Sequence, residues 1–187
     1  MLELCKYAPS DADKIASWIK DKNMARMWGR DSFSNFPITA DDLNSYYSSC
    51  KSKLDFEILS FRRDGLLCGH LGITFDKASN SARLGFIVVD PSKRGKGYGK
   101  QIVSLALEHI FNVQKCSEAT LLVYDKNLPA YKCYINLGFR ETSSENDIHY
   151  DFFGESWRFI QLKITAEDFK TENASNNKNY AAKPDSQ

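Results

Sequence analysis

The run Lys93-Arg94-Gly95-Lys96-Gly97-Tyr98-Gly99-Lys100 sets four cations among three glycines in eight residues. Its chemistry is the capture of a bulky anion: glycines let the backbone approach a ligand that a Cβ would hold away, and the cations offset its charge. The flanks say where the run sits. Leu84 to Val89 is an apolar, β-type stretch ended by the breaker Asp90-Pro91, and Gln101 to Phe111 continues with helical periodicity. The basic loop therefore joins a strand to a helix start, whose unpaired N–H groups and positive dipole end favour phosphate. Its spacing is neither G-x-G-x-x-G nor G-x-x-x-x-G-K-[ST], so it fits neither the dinucleotide fingerprint nor the P-loop.

Downstream stands Asn127-Leu128-Pro129-Ala130-Tyr131-Lys132-Cys133-Tyr134-Ile135-Asn136-Leu137-Gly138-Phe139. Thr120 to Tyr124 reads as a short strand before it, and Asp125-Lys126-Asn127 supplies the turn. Pro129 suits a first helical turn and Gly138 the left-handed residue past the last one, which gives a helix of roughly three turns. Ala130 and Tyr134 share a face, so a small residue that admits a ligand lies beside a phenol that can donate a proton. Cys133 reads as a small apolar residue of the same helix rather than a nucleophile.

Arg94, Gly97 and Gly99 form R-x-x-G-x-G after the V-x-P approach Val89-Asp90-Pro91, and N-x-x-A-x-x-x-Y-x-x-x-G-F follows from Asn127 to Phe139. Two motifs in this order resemble the GNAT N-acetyltransferase superfamily. The resemblance implies an acetyl-coenzyme A cosubstrate with its pyrophosphate on Arg94, Gly95, Lys96, Gly97, Tyr98, Gly99 and Lys100. It places the pantetheine arm against the backbone of Ile87, Val88 and Val89, in a cleft where the fourth and fifth strands splay apart. Asn127 would touch the coenzyme, and Tyr134 would act as general acid toward the departing thiolate. The fold implied is α/β of the α+β type, a mixed, mostly antiparallel sheet of about six to seven strands with flanking helices. The function implied is transfer of an acetyl group from acetyl-coenzyme A to a primary amine of a small molecule or peptide, by direct attack in a ternary complex and without a metal. The alternative is a non-catalytic acyl-coenzyme A binding module with a regulatory or sensor role.

Attack on a thioester requires a neutral amine, and a lysine-like amine has a pKa near ~10.4, so a base or a water relay must remove a proton. Many members of the superfamily carry a strand glutamate in E-[IL]-G-[FY]; here the segment is Arg83-Leu84-Gly85-Phe86, and an arginine stays protonated. Glu57, His70 and Asp76 are the remaining candidate bases, with Asp125 and His149 beside them, and a water relay replaces them all if none is in reach. By resemblance the acceptor pocket is built from Trp28 to Phe36 and from the loop Ser143 to Glu155. That loop holds Glu145, Asp147, Asp151 and Glu155, which would attract a cationic amine.

These residues need a scaffold. Leu4 to Lys6 predicts a first strand, and Ser10-Asp11-Ala12-Asp13 a helix start whose Ile15, Trp18 and Ile19 share an apolar face. Thr39 to Leu43 predicts a second cap, followed by a helix through Tyr46 and Tyr47. Phe56 to Arg62, the turn Asp64-Gly65 and Leu66 to Phe75 predict a hairpin, Ala82 to Val89 the next strand, and Gly138 to Glu141 with Trp157 to Ile164 the last two. Residues 1–164 are expected to form a single domain and residues 165–187 a polar, flexible tail.

With 25 basic and 24 acidic residues the formal charge is +1, which argues against a general nucleic-acid or acidic-membrane binder. The amino terminus has no apolar signal core, no apolar run approaches the ~18 residues of a membrane span, and a cytosolic location is expected. Five cysteines without a C-x-x-C pair suggest neither a disulfide framework nor a zinc site. Expected partners are acetyl-coenzyme A and the amine acceptor, with the protein a monomer or a homodimer.

Overall fold

The computed structural model describes residues 1–33, 35–142, 149–152 and 155–171. The chain begins with β1 (Leu2–Lys6), α1 (Ala12–Ala16), α2 (Lys22–Gly29) and α3 (Ala40–Lys53). A meander β2 (Asp55–Arg63), β3 (Leu66–Asp76) and β4 (Ser81–Val89) follows, then α4 (Tyr98–Glu108), β5 (Glu118–Tyr124), α5 (Leu128–Ile135), β6 (Arg140–Glu141), β7 (His149–Phe152) and β8 (Glu155–Thr165). Residues 166–171 close the described chain as a last helix, α6. The strands lie in the order β1-β2-β3-β4-β5-β8-β6, with β7 paired to the start of β8. Every pairing is antiparallel except β4 with β5, so the mixed, mostly antiparallel sheet with flanking helices is as expected.

Local chemistry accounts for most boundaries. Asp64 and Gly65 both take positive φ, 53° and 75°, the twist that a two-residue hairpin between β2 and β3 requires. Thr39 caps α3 reciprocally with Asp42: the threonine Oγ1 accepts from Asp42 N at 3.2 Å and the carboxylate accepts from Thr39 N at 2.9 Å. α1 ends at Ala16, so Trp18 and Ile19 lie past it rather than on its face, and three further elements have no counterpart among those expected. Asp21 accepts from Met24 N at 2.7 Å and starts α2, a helix the apolar periodicity did not announce. β7 lies inside the stretch expected to be loop, where His149-Tyr150-Asp151-Phe152 alternates polar and aromatic residues. α6 carries Phe169, 4% exposed and 5.4 Å from the Phe111 ring, so the packed part of the chain runs beyond residue 164.

The sheet separates two cores. On one face α4, the helical turn His109–Val113 that continues it, and α5 lay Ile102, Ala106, Ile110 and Tyr134 against Phe61, Ile73, Leu84 and Leu121. At Gly69 an added Cβ would stand 2.2 Å from Ile102 Cδ1 and 3.1 Å from Val88 O, so a larger residue there would have to displace the Ile102 side chain. On the other face α1, the turn after it, α2 and α3 pack Ile15, Trp18, Trp28, Leu43 and Tyr47 against Ile58 and Val88. Each such side chain contributes about 1.5–3 kcal/mol by leaving water. A buried polar network ties this layer to the strands: Arg62 donates to Asp11, Ser60 Oγ donates to Asp11 Oδ2 at 2.8 Å, and Tyr47 OH lies 2.7 Å from His70 Nε2.

Candidate active site

β4 and β5 pair only over Ser81–Leu84 against Glu118–Leu121. Just beyond, Gly72 faces Gly85 but His70 faces Val88, so Leu71 opposes both Phe86 and Ile87. That is a β-bulge, and Phe86 sits in it at φ +52°. A bulky residue at positive φ costs about 1–3 kcal/mol unless its surroundings hold it there. Here the Trp28, Tyr46, Tyr47 and Phe56 rings surround Phe86 with centroids 5.4–6.5 Å away. The bulge bends β4 away from β5, and the main-chain edge of Gly85 to Val89 loses its strand partner. A backbone edge in this position must be satisfied by water or by a bound chain.

The opening is a cleft of about 910 Å³ walled by Ile87, Val88 and Val89, by the basic loop and by α5. Gly97 takes φ +79° as the N-cap of α4, a left-handed conformation in which a Cβ would be strained. The first α4 bond runs from Gln101 N to Gly97 O, so the N–H groups of Tyr98, Gly99 and Lys100 precede the helical ladder. Arg94 Nε donates to Val89 O at 3.3 Å and ties the loop to the end of β4. Arg94, Gly95, Gly97, Gly99 and Lys100 line the cleft. Lys96 and Tyr98 do not: Lys96 Nζ donates to Ser92 O at 3.1 Å, and the Tyr98 hydroxyl accepts from Arg63 at 3.1 Å, toward the hairpin.

Asn127 caps α5 by accepting from Ala130 N at 3.4 Å and stands on the cleft wall. Two turns into α5, a shorter helix than expected, Tyr134 is 7% exposed, its ring edge-on to Phe139 at 6.0 Å. Burial pushes its phenol well above the usual tyrosine range, so it keeps its proton at neutral pH. Burial also raises the neighbouring Cys133 thiol, which leaves little thiolate and fits the reading of that cysteine as a packing residue.

A second cavity, of about 240 Å³, opens on the face of the sheet that carries α2 and α3. Gly72 and Gly85 lie opposite each other across β3 and β4 and make its floor: a Cβ at Gly72 would stand 2.7 Å from Phe56, while one at Gly85 would enter open space. Met27, Trp28, Ile87, Asn127 and Tyr134 belong to both linings, so cleft and cavity meet along these five residues.

None of the three candidate bases reaches this junction. Glu57 alternates with the cavity residue Phe56 and so lies on the opposite face of the sheet, where its carboxylate is 2.7 Å from His109 Nε2 and accepts from Gln114 Nε2 at 2.7 Å, both just past the end of α4. His70 is fully buried beneath α3, and burial lowers its pKa to about 3, so it is neutral and enclosed. Asp76 ends β3 in an exposed turn, accepting from Ala78 N and from Ser79, contacts that hold its carboxyl below the usual range. Asp125 and His149 also fall outside both linings. From the expected acceptor segments Trp28, Arg30 and Ser32 do line the cavity, while Glu145 and Asp147 lie outside the described residues. Sequence reasoning missed the cavity's other walls, Tyr46, Phe56, Tyr124 and Phe159, which come from four separate elements. It also missed that Arg83 lines the cavity.

Comparison with known proteins agrees with this geometry. The family model "Acetyltransferase (GNAT) family" matches residues 22–139, which contain both motifs and the bulge. The chain belongs to the GNAT acetyltransferase family. Membership of this family supports acetyl-coenzyme A-dependent N-acyl transfer as its chemistry. Among relatives, an N-acetyltransferase 9-like protein of Caenorhabditis briggsae is 23% identical over 152 residues, covering 75% of each chain. A prophage-derived uncharacterized N-acetyltransferase, YokL, of Bacillus subtilis is 23% identical over 137 residues, 73% of this chain and 76% of that protein. The spermidine N-acetyltransferase of Vibrio cholerae, solved in complex with CoA and spermine, superposes with a TM-score of 0.75 at 20% identity, covering 90% of this chain and 98% of that one. A dodecameric structure of the Vibrio cholerae enzyme gives a TM-score of 0.70 at 18% identity over 90% and 95% of the two chains. At these identities the structural likeness establishes the GNAT fold. No helix among the described residues is long and apolar enough to cross a membrane.

Proposed function

We propose that this GNAT protein moves the acetyl group of acetyl-coenzyme A to a primary amine of a small molecule or peptide by direct attack in a ternary complex. The observation that carries the reading is the meeting of two compartments at Tyr134. The cleft has the loop, the helix start and the open β4 edge that a pyrophosphate with a pantetheine arm would occupy, and the cavity has room for an acceptor on the far side of the bulge. In this reading the amine nitrogen forms its bond to the thioester carbonyl carbon, a β4 amide near Val88 stabilises the oxyanion, and collapse breaks the C–S bond. Tyr134 then gives its proton to the thiolate. No carboxylate or imidazole is among the described residues common to both linings, and in this reading a water relay carries the amine's proton away. Supporting this are the protonated state of the buried phenol and its place in both linings.

The same absence favours one rival, a module that binds acyl-coenzyme A and transfers nothing. Incubating the protein with acetyl-coenzyme A and an amine library, with mass spectrometry of the products, separates the two. Transfer predicts at least one amine heavier by an acetyl group, formed in proportion to enzyme. Saturable acetyl-coenzyme A binding with no acetylated amine and no thioester loss would establish the rival.

A further inference from the structure

The described glycines divide by the reason each has no side chain. Gly65, Gly95, Gly97 and Gly138 take positive φ. At Gly29, Gly69 and Gly72 an added Cβ would stand 2.8, 2.2 and 2.7 Å from a neighbouring side chain. Gly85 and Gly99 fall in neither group, and each lines a compartment: Gly99 the cleft, Gly85 the cavity on the other face. Residues directly opposite each other in an antiparallel pair share a face, so the missing side chain of Gly85 belongs on the side where Gly72 meets the Phe56 and Phe86 rings. Thr74 and Arg83, the opposed pair two residues along on that face, line the cavity as well. A Cβ built on Gly85 meets no atom of the described residues within 4 Å. A glycine inside a strand weakens the strand and packs nothing; where neither backbone nor neighbours require it, it marks the close approach of something else.

We infer that Gly85 is a specificity-determining residue of the cavity: the body of the acceptor, just behind its reacting amine, lies against the sheet backbone in the space a side chain would take. The inference rests on the acetyl-transfer reading and concerns its acceptor side. Gly85 stands two residues before Ile87, which lines both compartments, so at ~3.3 Å per strand residue it is within about 7 Å of the junction. That span is a few bonds. A group resting on Gly85 therefore belongs to the first carbons behind the nitrogen and not to the far end of the molecule. The Phe56 and Phe86 rings, with centroids 6.5 Å apart, give those carbons apolar walls beside the glycine floor. In a cavity of about 240 Å³ an added methyl or isopropyl group takes room at this point, and a misfit of one methylene in such a pocket is worth roughly 10- to 200-fold in kcat/KM. Gly85 thus works as a size filter on the carbons beside the amine.

The test compares Gly85→Ala and Gly85→Val with the wild type as full chains, with acetyl-coenzyme A for turnover and coenzyme A for calorimetric binding. The acceptors are primary amines paired by bulk beside the nitrogen: ethylamine with isopropylamine, 2-phenylethylamine with its α-methyl derivative, and glycinamide with leucinamide. Both variants are expected to melt at or above the wild-type temperature, since a strand glycine without a steric need only weakens the strand. Coenzyme A affinity should stay within about twofold, because the new side chain points into the cavity and not the cleft. Acceptor kcat/KM should fall from wild type to Ala to Val, by at least about tenfold at Val for the bulkier member of each pair and by less for the slimmer one. Unchanged acceptor kinetics in Gly85→Val overturn the inference, and so does a loss equal for slim and bulky acceptors. A lowered melting temperature in Gly85→Ala also overturns it, because the glycine would then serve packing. If the wild type binds amines without acetylating any, the same graded loss in calorimetric affinity upholds the inference and sinks the transferase reading instead; a wild type that binds no amine overturns the inference.

Discussion

At the scale of single residues, two buried titratable groups behave in opposite ways, and burial explains both. Tyr134 is held protonated and His70 is held neutral, because each would be charged in its other form. For His70 the sign is fixed by linkage: the unfolded chain takes up a proton near its ordinary 6.5, and the folded one only near about 3. Folding stability is therefore full above about pH 6.5 and falls by about 1.4 kcal/mol per pH unit below it, as far as the folded value. Urea unfolding followed from about pH 7 to about pH 4 should show this slope in the wild type, and a slope smaller by about one proton in His70→Gln. Equal slopes would mean that His70 is not enclosed. Tyr134 was legible in the sequence because a helix repeat and a family motif both point to it. The candidate bases were not, because whether a strand residue faces a cavity depends on the parity of the strand and on which helix covers that face. Glu57 is one residue away from Phe56 and on the wrong side.

At the scale of elements, the strand, loop and helix start were legible from composition alone, since Asp-Pro, three glycines and a run of cations leave few other structures for residues 89–101. The bulge in β4 was not legible. Phe86 has no turn signal around it, and its positive φ is imposed by packing among rings from α2, α3 and β2 that only the tertiary fold assembles. The loop carries a prediction of its own. Gly97→Asp puts a Cβ where φ is +79° and a negative charge beside the helix start, so acetyl-coenzyme A affinity should drop at least tenfold, about 1.4 kcal/mol. Circular dichroism should show the secondary structure retained. Calorimetry giving the wild-type affinity would reduce the loop to a plain turn.

For the whole molecule, the sheet matters because it divides the tasks: α4 and α5 support the cleft from one face, and α2 and α3 close the cavity on the other. The β2–β3 hairpin is legible in strand and turn patterns and the mixed, mostly antiparallel sheet follows from the family resemblance, whereas β7 and α6 are each too short to set up a periodic pattern in the sequence. α6 is nevertheless part of the core. Phe169→Ala should cost about 3–5 kcal/mol in chemical denaturation, the range for emptying an aromatic site beside Phe111; a change below about 1 kcal/mol would place that helix outside the cooperative unit. The central claim is that cleft and cavity meet at a phenol that protonates the departing thiolate. Its most direct measurement is the acetyl-transfer rate of Tyr134→Phe at saturating acetyl-coenzyme A, with acetyl-coenzyme A binding measured on the same preparation. The expected result is affinity within about twofold of wild type and turnover lower by roughly 10² to 10⁴, the contribution of one positioned acid. Turnover at the wild-type rate would contradict it, because the phenol would then only pack.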